Sequence, residues 1–264
     1  MSRIGEQLKS LRRPAAALGF GFAAATVPKR RMLLLVRLDQ LPDAAHVGSA
    51  LGRADVVVVV PGEGDCSAIL ALAAEQCPSV PLGICVEKGS SLPEAASAAC
   101  CDFCLCDVEG PLEVLGQKDK GCLIRVDAGI EPSRLRATAE LGIDALVLDS
   151  ESLDLSRLSS VVECRRTHTV SGKPVVLQVR GVLEASSIAI LWRAGVDALL
   201  VDSSLGADMI EATRSALDSA PYESRALSSG SGAVIGAHIG ALGVADAHED
   251  GGGGEEEEED DDDD

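Results

Sequence analysis

Charged side chains in this 264-residue chain gather where aliphatic runs stop. "LLLVRLD" closes on Arg37 and Asp39, "LGICVEK" on Glu87 and Lys88, and "FCLCD" on Asp107. "CLIRVD" closes on Arg125 and Asp127, "ALVLDSE" on Asp149 and Glu151, "VVLQVR" on Gln178 and Arg180, and "ALLVDSS" on Asp202. Arginine forks recognise carboxylate and phosphate with two parallel hydrogen bonds. Carboxylates act as general acids and bases, or hold a hard divalent cation such as Mg²⁺ or Mn²⁺. The set therefore suits a small anionic metabolite. Arg37, Arg125 and Arg180 would grip it and Gln178 would orient it. Glu87, Asp127 and Asp149 would move protons, and Asp149 with Asp202 would take the cation. The competing arrangement is a closed ion-pair network, Arg37 with Glu87 and Arg125 with Asp127, that takes no ligand.

Other catalytic parts are missing from these positions. His46 and His168 fall in helix-like segments, His238 and His248 near the end of the chain, and none closes an aliphatic run. Lys88 could form a Schiff base only if buried, yet it precedes a Gly-Ser loop and reads as a surface lysine. The nine cysteines, an odd number, include "CCDFCLC" at Cys100, Cys101, Cys104 and Cys106. Cys101 and Cys104 have metal-ligand spacing, but a second pair is missing, so the group reads as buried thiols of a reducing, cytoplasmic compartment.

These residues need a frame that brings run ends together. Eight β-like runs lie at 32–39, 55–60, 81–87, 102–107, 121–127, 144–150, 174–180 and 197–203. Helix-like segments separate them, among them "PEAASAACC", the short "GPLEVLGQ" and "EPSRLRATAELG". Eight strands alternating with helices predict a (β/α)8 TIM barrel over 32–220, with its site at the C-terminal strand ends. No G-x-G-x-x-G follows the first strand, which argues against an open doubly wound sheet. The chain also repeats itself. Shifted by 53 residues, "VDAGIEPSRLRATAELGIDALVLDS" lies over "VRGVLEASSIAILWRAGVDALLVDS". The two copies are adjacent quarter-barrels, in which Asp149 matches Asp202 and Asp127 matches Arg180. Alternation puts Leu33, Leu35, Arg37 and Asp39 on one strand face, and likewise Cys85 with Glu87, Arg125 with Asp127, and Gln178 with Arg180. If those faces point inward, Arg37, Glu87, Arg125 and Gln178 form one layer, with Asp39, Asp127 and Arg180 above it.

The last quarter, "VRGVLEASSIAILWRAGVDALLVDSSL", resembles the phosphate-binding (β/α)8 barrels, such as thiamine-phosphate synthase and quinolinate phosphoribosyltransferase. The resemblance implies a phosphate held by backbone N–H groups at Gly181, Ser203 and Ser204. Gly195, Val196 and Asp197 match the "AGVD" step of that group. Arg180 and Asp202 stand where it carries glycines. "DALVLDSES" is also loosely similar to the metal-binding strand ends of class II keto-acid aldolases and citrate-lyase-like barrels. These resemblances imply an aldolase-type barrel, a lyase or isomerase acting on a small anionic carbonyl or phosphorylated compound.

The flanks read differently. Residues 1–31 are basic with a short apolar stretch that Gly interrupts, and are expected to pack on the barrel rather than act as an export signal. Residues 221–245 form a Gly-rich apolar extension with Gly232, Gly236 and Gly240 at spacing four, suited to close helix contact or a homo-oligomer and too short to span a bilayer. Residues 246–264 hold thirteen acids and no Lys or Arg, and such a run of like charge is expected to be disordered. Without them 29 acids face 23 bases, so the formal charge of −19 belongs mostly to the tail. An acidic chain argues against nucleic-acid binding, which needs a basic surface. A second reading makes the barrel a non-catalytic module that assembles through the extension and tail.

Overall fold

The computed structural model describes residues 2–12, 31–38, 51–61, 66–151 and 153–222. The Gly-rich extension, the acidic tail, Asp39 and most of the expected helix after the first strand lie outside them. The eight strands are β1 (Leu33–Leu38), β2 (Val56–Val59), β3 (Leu82–Val86), β4 (Phe103–Asp107), β5 (Gly121–Val126), β6 (Ala145–Leu148), β7 (Val175–Val179) and β8 (Val196–Asp202). They are parallel and close in sequence order, β8 pairing back onto β1. The chain is a (β/α)8 barrel.

Six helices are described: α1 (Arg3–Arg12), α2 (Cys66–Gln76), α3 (Pro132–Glu140), α4 (Leu158–Ser171), α5 (Ala185–Ala194) and α6 (Ala207–Ser219). Two crossings expected to be helical hold only a 3-10 turn, Glu94–Ser97 after β3 and Leu112–Gly116 after β4. Both segments are too short to repay the cost of starting an α-helix, and proline begins each turn. Among the described residues no helix is long and apolar enough to cross a membrane.

Two apolar cores follow from the strand alternation. One lies between the barrel wall and the helices. The other fills the barrel with Leu33, Leu35, Val58, Cys85, Leu105, Leu123, Val147, Val176 and Leu200, and Ile4 and Leu8 of α1 join it. The inward faces are therefore those the alternation assigns.

The N-terminal end of the barrel is closed by aspartates at the start of each even strand, Asp55, Asp102 and Asp144 just before it and Asp197 as its second residue. Asp55 accepts the Leu34 N–H at 2.9 Å and faces Arg214 Nη1 at 2.9 Å. Asp102 caps α1 by accepting the N–H groups of Arg3 at 2.8 Å and Ile4 at 3.0 Å. Asp144 accepts from Ser2 Oγ at 3.1 Å and the Cys122 N–H at 3.2 Å. Asp197 accepts the Val175 N–H at 3.0 Å, with Arg12 Nη2 at 3.3 Å. Three of the four thereby tie an odd strand to its even neighbour.

Candidate functional site

At the opposite end the same strands run out into charge. Strands tilt in a closed barrel, so the inner residue level with a given position advances by about one residue per strand. Arg37 is in register with Val58, and Val58 with Gly83. The tilt then lifts Cys85, two residues on, to the level of Arg37. The same step leads from Cys85 through Leu105 and Leu123 to Arg125, and from Arg125 through Val147 and Val176 to Gln178. The uppermost filled layer is thus Arg37, Cys85, Arg125 and Gln178. Glu87, expected in that layer, lies one inward step higher and is exposed. Counting strand ends overshoots on β3 because each strand reaches the shared level at a different place along its length.

Even strands supply the next layer. Arg37 stands opposite Asp202 in the β1–β8 register, and Nη1 lies 3.7 Å from Asp202 Oδ2. Arg125 stands opposite Asp107 in the β4–β5 register, and Nη1 lies 3.7 Å from Asp107 Oδ1. Arg180 Nη2 is 3.9 Å from Asp149 Oδ1 and 3.6 Å from Glu151 Oε1. The ion pairs differ from those expected, Arg37 with Glu87 and Arg125 with Asp127. Each arginine meets the carboxylate on its hydrogen-bonded neighbour strand. For Arg37 this is nearer than Glu87, two strands away; for Arg125 it is level, whereas Asp127 stands two residues further along the chain from Arg125 itself. Asp107 is the residue the sequence reading passed over as a site member. Its signal was present, since "FCLCD" ends on an acid like the other runs.

These pairs neutralise charge without saturating the donors. At 3.7–3.9 Å the paired atoms lie beyond hydrogen-bond distance. Arg125 Nη2 points at Cys85 Sγ, 3.7 Å away, while its buried Nε finds no acceptor among the described residues. Gln178 is 5% exposed, and its Oε1 accepts no hydrogen bond from any described residue. Cys85 is the one thiol of this layer, and it lies between the positive charges of Arg125 and Arg37. Burial still pushes its pKa up, against the opposing pull of Arg125 and Arg37.

Outside these layers the side chains are open. Asp127, Arg180, Gly181 and Ser204 are exposed and Ser203 is half-buried. Arg180 and Gly181 line a 490 Å³ cavity between the loops after β6 and β7, with Ser150 and Glu151 in its wall. Asp202 Oδ1 accepts from the Ser204 N–H at 3.2 Å and from Ser204 Oγ at 2.9 Å. That N–H is the donor the phosphate-barrel resemblance assigns to phosphate, and a carboxylate of the chain itself already occupies it. Lys88 pairs at the surface with Glu109 at 2.6 Å, which holds its pKa above the ordinary lysine value, opposite to the need of a Schiff-base lysine. Asp149 and Asp202 face different arginines, and no group of three or more His, Cys, Asp or Glu is placed to hold a metal among the described residues. As arranged, this donor set does not fit a resident divalent cation.

Fold and layered strand ends define the class: a closed parallel (β/α)8 barrel with charged C-terminal strand ends. No protein-family model matches the sequence, and no curated protein matches it. Solved structures match in fold. Thiamine phosphate pyrophosphorylase from Pyrococcus furiosus aligns at 17% identity with a TM-score of 0.56, covering 72% of this chain and 96% of that one. Ligand-free tryptophan synthase from M. tuberculosis aligns at 16% identity and a TM-score of 0.56, covering 82% and 98%. The tryptophan synthase alpha-subunit of the hyperthermophile P. furiosus gives 13% identity and a TM-score of 0.54, covering 70% and 96%. At these identities the likeness is one of fold.

Proposed function

We propose that the chain is an enzyme, a lyase or isomerase, that binds a small anionic carbonyl or phosphorylated metabolite at the C-terminal end of its barrel. One observation carries this reading: buried polar atoms of Gln178 and Arg125 lack partners in a layer that also holds Arg37. Each such atom left open costs about 1–3 kcal/mol. Gln7, Arg12 and Thr167 leave single ones elsewhere, and what distinguishes the site is that those of Gln178 and Arg125 gather in one layer at the barrel mouth. Arg37 and Arg125 hold the anion from below and Arg180 from the rim. Asp107, Asp149 and Asp202 keep the arginines aligned and, with Glu87 and Asp127, serve as proton donors and acceptors. A phosphorylated ligand reaches Gly181, Ser203 and Ser204 once Asp202 releases the Ser204 N–H. Mg²⁺ or Mn²⁺ would reach Asp149 and Asp202 only after Arg180 and Arg37 swing away, so the chemistry assigned here uses side chains alone.

Thermal unfolding of the full-length chain against phosphate, pyruvate, oxalate, Mg²⁺ and Mn²⁺ tests the reading. An anion at a hundred times its Kd stabilises by about 2.7 kcal/mol, a clear rise in Tm. Arg125→Met is expected to abolish that rise. No response to any anion, with wild-type stability intact, would turn attention to the non-catalytic assembly reading.

A further inference from the structure

The Gln178 amide says more than that an anion binds. Its neighbours on the inner wall are Val176 on its own strand and Leu200 opposite on β8, both apolar members of the barrel core. The described framework around it therefore supplies no hydrogen-bond donor to Oε1. Arg125, at the same level, carries positive charge and an unused buried Nε–H. An anion alone would satisfy the arginine and leave Gln178 Oε1 as it is, because oxyanion oxygens only accept.

We propose that the ligand is a compact anion carrying its own O–H next to the negative charge. The charged oxygens lie against Arg125 and Arg37, and the O–H donates to Gln178 Oε1. A 2-hydroxycarboxylate has this chemistry, and so does phosphate, which keeps an O–H at neutral pH where sulfate does not. The inference rests on the anion site proposed above and makes Gln178 the specificity-determining residue within it. A site built to bond a hydroxyl rejects the analogue lacking it, since the buried amide is then left unpaired.

Calorimetric titration of the full-length chain with two matched pairs, glycolate against acetate and phosphate against sulfate, tests it. The O–H member of at least one pair is expected to bind about tenfold tighter or more. Preference for glycolate assigns a hydroxycarboxylate ligand. Preference for phosphate assigns inorganic phosphate or a phosphate monoester bound as its monoanion, the only monoester form that keeps a P–O–H. Gln178→Leu is expected to erase the preference while acetate or sulfate still binds. Equal affinities within both wild-type pairs, or tighter binding of acetate and sulfate, would overturn the inference and leave the anion site standing. If no member of either pair binds, both fall. Should Gln178→Leu fail to fold, the wild-type pairs alone decide.

Discussion

Both ends of this barrel are ringed by aspartates, and they use them in opposite ways. At the N-terminal end Asp55, Asp102, Asp144 and Asp197 each accept two or more hydrogen bonds or ion pairs at 2.8–3.3 Å. Asp197 is fully buried there. At the C-terminal end the inward carboxylates of Asp107, Asp149 and Asp202 face arginines at 3.7–3.9 Å, partly open to water. Asp149 and Asp202 also accept from their own loops, from the Glu151 N–H at 2.9 Å and from Ser204 at 2.9–3.2 Å. A carboxylate that ties one strand to another is a fastener; one that meets its arginine beyond hydrogen-bond distance can exchange that arginine for a ligand. The strand-to-strand fasteners lie at one end and the proposed ligand site at the other, as strand ends in this fold generally divide their work.

The contrast can be broken by mutation. Asp55→Ala takes the buried carboxylate from the Arg214 guanidinium, leaving it only the exposed Asp218 as an ion-pair partner among the described residues, and leaves the Leu34 N–H without its acceptor. A loss of about 3–5 kcal/mol is expected in urea unfolding. A comparable loss from Asp107→Asn would erase the distinction between the two ends.

A second comparison sets two buried thiols against each other under alkali. Burial pushes Cys164 up to about 12, whereas the pull of Arg125 and Arg37 opposes the rise at Cys85. A raised thiol pKa stabilises the folded state fully below the unfolded value of about 8.5, and the contribution disappears as pH climbs toward the folded value. Stability is therefore expected to fall above about pH 8.5 by up to 1.4 kcal/mol per pH unit for Cys164. Cys164→Ala should flatten that slope, read from unfolding midpoints between about pH 8 and 11. Cys85→Ala should change it less.

The smallest effect is expected at the top. Asp202→Asn should shift unfolding by less than about 1 kcal/mol, as for other partly exposed pairs. It also loosens the grip on Ser204 N–H and so should strengthen phosphate binding, measured by titration.

The repeated phrase shows how much of this was legible. "GIDALVLDS" and "GVDALLVDS" each hold an aspartate on either side of the aliphatic run, and the sequence identifies the second aspartate as a strand-end group. It is silent about the first. Asp144 and Asp197 turn out to be the bottom fasteners, because a carboxylate at the start of an even strand reaches an N–H at the start of the preceding odd strand, Cys122 for Asp144 and Val175 for Asp197. The glycines differ as well. Gly142 and Gly195 both have positive φ, but an added Cβ would meet nothing near Gly142 and would strike the His168 ring at Gly195. One glycine answers to backbone shape alone, the other also to close packing by α4.

The sequence by itself determined the strand number, their order, which residues share a face on each odd strand and the charged character of the C-terminal end. Period, length and punctuation are local properties that a chain carries wherever it folds. Tertiary structure decided which strand-end residues share a level, and so replaced Glu87 with Cys85 and paired the arginines with Asp107, Asp149 and Asp202. Tilt and register arise only when eight strands close on one another, and no single strand records them.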